Sequence, residues 1–120
     1  MAGTVLIAGA SGLVGTAAAI EFAQAGWKVI ALSRRVPELL EDVQVQHLPL
    51  DLTDTRACRT AASQLADVTH VVYTAVFELP GLISGWSDPL QIETNDRMLR
   101  NLIEPLRAVA KLQQIGRAHV

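Results

Sequence analysis

The sequence predicts an α/β fold, the N-terminal part of a doubly wound parallel sheet. Three observations point to it. Val5-Leu6-Ile7-Ala8 is a short, wholly apolar run near the start of the chain, as expected of a strand buried on both faces. A glycine-rich turn, Gly9 to Gly15, follows at once and leads into an alanine-rich stretch. Strand-like and helix-like segments then alternate, and that alternation gives a parallel sheet with right-handed crossovers.

Each element has its own signal. Leu13 to Ala25 reads as a helix with Gly26 as its C′ cap. Lys28 to Leu32 is the second strand, Val36 to Asp42 a loop carrying Pro37, and Val45 to Leu50 the third strand. Asp54 caps a helix from Thr55 to Ala66, whose Ala57, Cys58, Ala61, Ala62 and Leu65 fall at helical spacing. Thr69 to Thr74 is the fourth strand, and Phe77 to Ser87, with its proline and glycines, is a loop. Asp88-Pro89 opens a long helix as N-cap and N1. Its predicted stripe is Met98, Leu99, Leu102, Ile103, Leu106, Val109 and Ala110, with a kink expected at Pro105, which cannot bond to the Asn101 carbonyl. The expected strand order is 3-2-1-4. The two strands that would complete such a fold are absent, so the fold is predicted to be truncated and its fourth strand to be an open edge.

Composition narrows the function classes. The 120 residues suffice for one small domain; 50% are hydrophobic but only 18% charged, low for a free-standing surface, so part of the protein is expected to be missing. A net charge of −2 offers no basic patch for nucleic acid or an anionic membrane. The single cysteine, Cys58, precludes an internal disulfide and fits a reducing compartment. Met1-Ala2-Gly3 lacks the charged start of a signal peptide, and the apolar run Val5 to Ala10 is too short to span a bilayer. A cytoplasmic location is expected.

Gly9-Ala10-Ser11-Gly12-Leu13-Val14-Gly15 lies between a strand and a helix. In a dinucleotide site Gly9 allows the tight turn, Gly12 admits the pyrophosphate, and Gly15 lets the helix approach the strand. The diphosphate then meets free N–H groups at the positive end of the helix dipole. Ser33-Arg34-Arg35 ends the second strand, where an NAD site usually carries an acid for the ribose 2′-OH. Guanidinium instead suits a 2′-phosphate. Arg34 is therefore read as the main phosphate ligand and Arg35 as a second ligand or a cation stacked on adenine, and the cofactor as NADP(H). Asp51-Leu52 follows the third strand, where Asp51 either accepts from the adenine amine or caps the next turn. Thr74-Ala75-Val76 ends the fourth strand, and its small residues leave room for ribose and pyrophosphate.

Other residues carry less. His47, His70 and His119 share no ligand spacing with one another or with Cys58, so no metal is expected. Cys58 is read as core. Trp86 shapes a pocket or anchors its loop. Asn95 shares the buried stripe and must be hydrogen-bonded, to the backbone of the fourth strand or to a water near the active site.

Gly9 to Gly15, Arg34-Arg35, Asp51-Leu52-Thr53-Asp54 and Asn95 together resemble the extended or atypical branch of the short-chain dehydrogenase/reductase superfamily, whose cofactor domain is the Rossmann fold. Thr69 to Tyr73, Gly81 to Trp86, and Asn95 through Asn101 to Leu106 look like its progesterone 5β-reductase/iridoid synthase-like group. The resemblance implies NADPH-dependent reduction of an enone C=C bond, with a tyrosine and a lysine stabilising the enolate. Both would lie beyond Gln114. Tyr73 and Lys111, one on the fourth strand and the other on the helix after it, do not replace them, so no catalytic residue is assigned. Two alternatives are a sugar-nucleotide epimerase or dehydratase and a non-catalytic NADP sensor. Residues 1–114 are read as the partial cofactor domain. Ile115-Gly116-Arg117-Ala118-His119-Val120 resembles translated sequencing-adapter DNA (ATC GGA AGA GCA CAC GTC) and is expected to be a non-native tail.

Overall fold

The computed structural model describes residues 3–35, 45–77, 89–112 and 114–117. Among these, the elements in chain order are β1 (Thr4–Ala8), α1 (Leu13–Gln24), β2 (Lys28–Ser33), β3 (Gln46–Pro49), α2 (Thr55–Ala62), β4 (His70–Tyr73), α3 (Pro89–Val109) and β5 (Gln114–Arg117). The loop expected at 36–42, all but Phe77 of the loop expected at 77–87, Trp86 included, the Asp88 cap and residues 118–120 of the expected tail lie outside the described residues.

All pairings are parallel and the strand order is β3-β2-β1-β4-β5, a Rossmann-like sheet. The expected order 3-2-1-4 is present, but the expectation of an open β4 edge is corrected. Residues 114–117 pair with it, Val71 opposite Ile115 and Val72 opposite Gly116. β5 thus takes in part of the segment read from sequence as a tail. β4's outer backbone groups are thus satisfied from within the chain.

β1 sits at the centre of the sheet, which is why it is apolar throughout: Val5, Leu6, Ile7 and Ala8 are all fully buried. Alternation along the strand sends Leu6 and Ala8 to one side and Val5 and Ile7 to the other. The first side packs under α2 and α3 with Ile30, Leu32, Cys58, Ala61, Leu65, Met98, Leu102 and Leu106. The second packs under α1 with Ala10, Ala19, Val29 and Ala31. The stripe predicted on α3 is mostly confirmed, with Leu99, Ile103 and Ala110 packed at its margin. Val109 is the exception and is exposed. The helix continues through Pro105 as one element.

The helix ends follow local chemistry. At the end of α1, Gly26 takes φ +87°, its N–H bonds to Ala23 O, and the Trp27 N–H bonds to Phe22 O. The Phe22 and Trp27 rings meet edge to face, 5.0 Å apart, so the cap has both its reversed hydrogen bonds and its apolar contact. At α2, Asp54 Oδ1 accepts from Ala57 N at 3.0 Å. That helix ends at Ala62 rather than Ala66, because the N–H groups of Gln64 and Leu65 bond three residues back and tighten the last turn.

Candidate functional site

The C-terminal ends of β1, β2, β3 and β4 open into one cavity of about 370 Å³. The sequence separates its linings widely, and the parallel sheet brings them together, since every strand of such a sheet ends on the same side. Gly9, Ser11 and Gly12 come from the turn after β1, Ser33 and Arg34 from the end of β2, Asp51 and Leu52 from the corner after β3, and Thr74, Ala75 and Val76 from the end of β4. The other predicted site residues sit beside the cavity. Leu13 is 84% exposed at the start of α1, Val14 is half-buried behind it, and Arg35 is exposed beyond Arg34. Gly15 is buried under the turn.

The three glycines of the turn meet different demands. Gly9 has φ +86°, and a Cβ there would lie 2.6 Å from both Ala75 N and Thr74 Oγ1. A Cβ on Gly15 would lie 2.1 Å from Gly9 O. Both are required by the protein's own packing. Gly12 is not: its φ is −80°, it is exposed, and a Cβ would meet only Gly9 O at 3.4 Å, an ordinary contact. What Gly12 keeps clear is open space on the cavity side.

That space faces the start of α1. The first helical bond runs from Thr16 N to Gly12 O, 2.9 Å, and no side chain caps the helix. The N–H groups of Leu13, Val14 and Gly15 precede the first intrahelical bond and have no acceptor within the helix. α2, by contrast, has its end closed by Asp54. Two hydroxyls fasten the turn from beneath. Thr16 Oγ1 donates to Ala10 O at 2.7 Å, and Thr74 Oγ1 donates to Ala8 O at 2.7 Å. Thr74 therefore does more than leave room, since it ties the end of β4 to the end of β1.

Asp51 stands in the cavity wall with its carboxylate engaged. Oδ1 accepts from Thr53 N at 2.9 Å and from Thr53 Oγ1 at 2.7 Å. The Thr53 hydroxyl and N–H hold Asp51 below the usual carboxylate range, against partial burial and with help from the Arg34 charge. Of its two sequence readings, the turn-capping one is thus realised, and Asp51 still lines the cavity. Cys58 lies just behind, buried in the core. Burial and the charges of Asp54 and Asp51 push its thiol up to about 11.

Sequence reasoning missed part of the wall: Leu32, Leu50, Thr53, Phe77 and Met98. Asn95 explains Phe77. Its Oδ1 accepts from Phe77 N at 2.7 Å, and its Nδ2 donates to Phe77 O at 2.8 Å and to Gln91 O at 2.9 Å. Asn95 thus holds the segment leaving β4 against α3, and its backbone partner is Phe77, beyond the end of the fourth strand to which a bond was expected. Asn101 makes a second tie that the sequence did not signal. Its Nδ2 donates to Leu52 O at 2.8 Å and its Oδ1 accepts from Thr55 Oγ1 at 3.3 Å. An asparagine directly before the buried Leu102 was the only available hint. Among the described residues no three His, Cys, Asp or Glu side chains gather as a metal site, and no helix is long and apolar enough to cross a membrane.

Comparison with known proteins agrees with this geometry. The chain is 30% identical over 107 residues to (S)-8-oxocitronellyl enol synthase of Nepeta racemosa, covering 84% of this chain and 26% of that protein. It is 31% identical over 107 residues to 3-oxo-Delta(4,5)-steroid 5-beta-reductase of Arabidopsis thaliana, with 84% and 26% covered. The chain thus spans about a quarter of the length of these curated relatives. Among solved structures, YwfH, an NADPH dependent reductase involved in bacilysin biosynthesis, superposes with a TM-score of 0.75 over 98% of this chain and 58% of its own, at 14% identity. At that identity the likeness speaks for the fold alone. The family model for the NAD dependent epimerase/dehydratase family matches residues 5–118, from β1 through the glycine turn to β5. A match running through every strand end that lines the cavity leaves no doubt of kinship: this chain belongs to the NAD dependent epimerase/dehydratase family.

Proposed function

We propose that the cavity binds the adenosine end of NADP(H) and that the full-length parent is an NADPH-dependent reductase, acting on the C=C bond of a small-molecule enone. The observation that carries the cofactor reading is Gly12, whose missing Cβ serves no internal packing but keeps clear the space in front of the uncapped start of α1. A diphosphate fits there, on the N–H groups of Leu13, Val14 and Gly15. Ser11 and Gly12 line its near side, and Thr74, Ala75 and Val76 line the ribose side. The adenine end lies toward Leu52 and Asp51.

The preference for NADP rests on the end of β2. Ser33, Arg34 and Arg35 stand where a carboxylate would select a free 2′-OH, and Arg34 lines the cavity. A guanidinium pairs with phosphate in bidentate fashion. The reduced nicotinamide, when bound, supplies the hydride for the β-carbon of the enone. The enone itself is suggested by the two curated relatives and by the group resemblance. The tyrosine and lysine which that resemblance implies belong beyond Gln114. The 120 residues alone are therefore proposed to be inactive, and residues 115–120 to be non-native. Reading the coding sequence through Gln114 tests the last point.

A second reading has one observation behind it: the family is described as NAD dependent epimerase/dehydratase. A sugar-nucleotide epimerase or dehydratase would favour NAD, which Arg34-Arg35 opposes. A non-catalytic sensor would keep the cofactor and lack the tyrosine and lysine. Titration of the chain with NADP⁺ and NAD⁺ by calorimetry decides the cofactor, with tighter NADP⁺ binding expected and equal binding overturning the reading. NADPH oxidation by the full-length parent with an enone decides the reaction.

A further inference from the structure

Ser33 lines the cavity beside Arg34, and its hydroxyl is already committed. The Oγ–H donates to Arg35 O, a short contact across the bend that follows β2. The same Oγ lies 3.0 Å from Nε2 of His47 on β3. A serine hydroxyl has one hydrogen to give. With that hydrogen on Arg35 O, Oγ can only accept from His47, so Nε2 carries the hydrogen. His47 is opposite Ala31 in the parallel register, and Ser33 is opposite Pro49. The ring therefore reaches along one face of the sheet to the last residue of the neighbouring strand. His47 is half-buried and is not part of the cavity wall.

The result is a directed chain from the imidazole N–H to the serine O–H to the Arg35 carbonyl. It spans the short bend that presents Arg34 and Arg35, both exposed, so packing does little to aim them. A hydrogen-bonded brace does it instead. The chain also means that Ser33 shapes the anion pocket without giving its proton to the anion.

We propose that His47 is a positioning residue for 2′-phosphate selectivity, acting through Ser33 on the bend that carries Arg34 and Arg35. The proposal deepens the reading of Arg34 as the 2′-phosphate ligand and rests on it. The probes are 2′,5′-ADP and 5′-AMP, which differ only by the 2′-phosphate, titrated into the full 120-residue chain. The wild-type chain prefers 2′,5′-ADP. His47→Leu removes the donor and reduces that preference by about three- to tenfold, the range of one net hydrogen bond, while the affinity for 5′-AMP holds. His47→Gln places an amide N–H where Nε2 was and keeps the preference. His47→Asn, whose shorter amide does not reach Ser33, repeats the loss and stands in for His47→Leu should leucine prevent folding. An undiminished preference in both the Leu and Asn variants overturns the proposal, as does equal weakening of both ligands, which marks a structural role only. A wild-type chain with no preference overturns the NADP reading and this proposal together, so the two failures are told apart by the wild-type titration alone.

Discussion

The turn after β1 and the turn after β2 sit side by side at the same end of the sheet, yet they are built on opposite principles. In the first, Gly9 and Gly15 are dictated from within: a Cβ on either would fall inside 3 Å of backbone or of Thr74. In the second, Arg34 and Arg35 are exposed, and the fold would form with other residues there. On the proposed reading, the turn that would hold the diphosphate is fixed by the backbone, whereas the choice of cofactor would fall to side chains that carry no structural burden. Binding and selectivity should be separable by mutation.

The sharpest way to break that contrast is Gly15→Ala. A methyl group 2.1 Å from Gly9 O forces α1 away from the turn. We expect a loss of about 3 kcal/mol or more, at the upper end of overpacking costs, read as a lower thermal midpoint by circular dichroism. An unchanged midpoint would show that the turn is not dictated from within.

Gly12→Val, three residues earlier, should do the reverse. The Cβ finds ordinary contact, so stability should change by no more than about 1 kcal/mol, the scale of a poorer N-cap. Binding of NADP⁺ by calorimetry should be lost. Wild-type affinity in this variant would remove the role given to Gly12.

For the second turn, Arg34→Asp with Arg35→Ala should shift preference toward NAD by at least about tenfold, since charge-assisted hydrogen bonds are worth roughly 1.5–3 kcal/mol each. The melting temperature should stay near wild type. A constant ratio of the two affinities would sink the assignment, and a large fall in stability would sink the contrast.

Cys58 serves as a control outside both turns. Its thiol is buried and pushed up to about 11 by burial first and then by Asp54 and Asp51, so a thiol reagent at pH 8 should label it only after unfolding. Because folding holds it protonated, the stability this contributes is present below the unfolded value of about 8.5 and is lost as pH rises toward 11. Fast labelling of the folded chain would place Cys58 outside the core.

The smallest effect belongs to Asp51. Its carboxyl is lowered by the Thr53 hydroxyl and N–H, with Arg34 the weakest contributor. Its stabilisation is therefore present above the unfolded value of about 3.9 and is lost as pH falls through the lower folded value. Thr53→Val should flatten this acid limb in urea melts, while Arg34→Asp should leave most of it. The exposure of Asp51 keeps both changes small.

How much was legible in the sequence follows from how far each determinant reaches. β1, the glycine turn and α1 could be read because strand, turn and helix signals lie within about twenty residues. Gly26 and Asp54 could be read as caps because a cap acts on its own helix. The cavity residues Arg34, Asp51 and Thr74 could be placed because parallel topology sends every strand end to one side. Other features came only from tertiary structure. The Asn95–Phe77 tie spans 18 residues and the Asn101–Leu52 tie 49. No local period encodes such a tie, since a buried amide signals only that it needs some partner. The brace from His47 to Ser33 crosses between strands, and its existence depends on register, which one residue of slip would undo. β5 was missed because Gln114 to Arg117 has no apolar alternation of its own. It is a strand because β4 presents an edge that needs a partner. Apart from β5, the sequence by itself determined the element types and the chemistry offered at each strand end. The packing of α3 and the pairing of the outer strands decided which residues meet around the cavity, because those contacts are satisfied only when distant backbone groups have been brought within hydrogen-bonding reach.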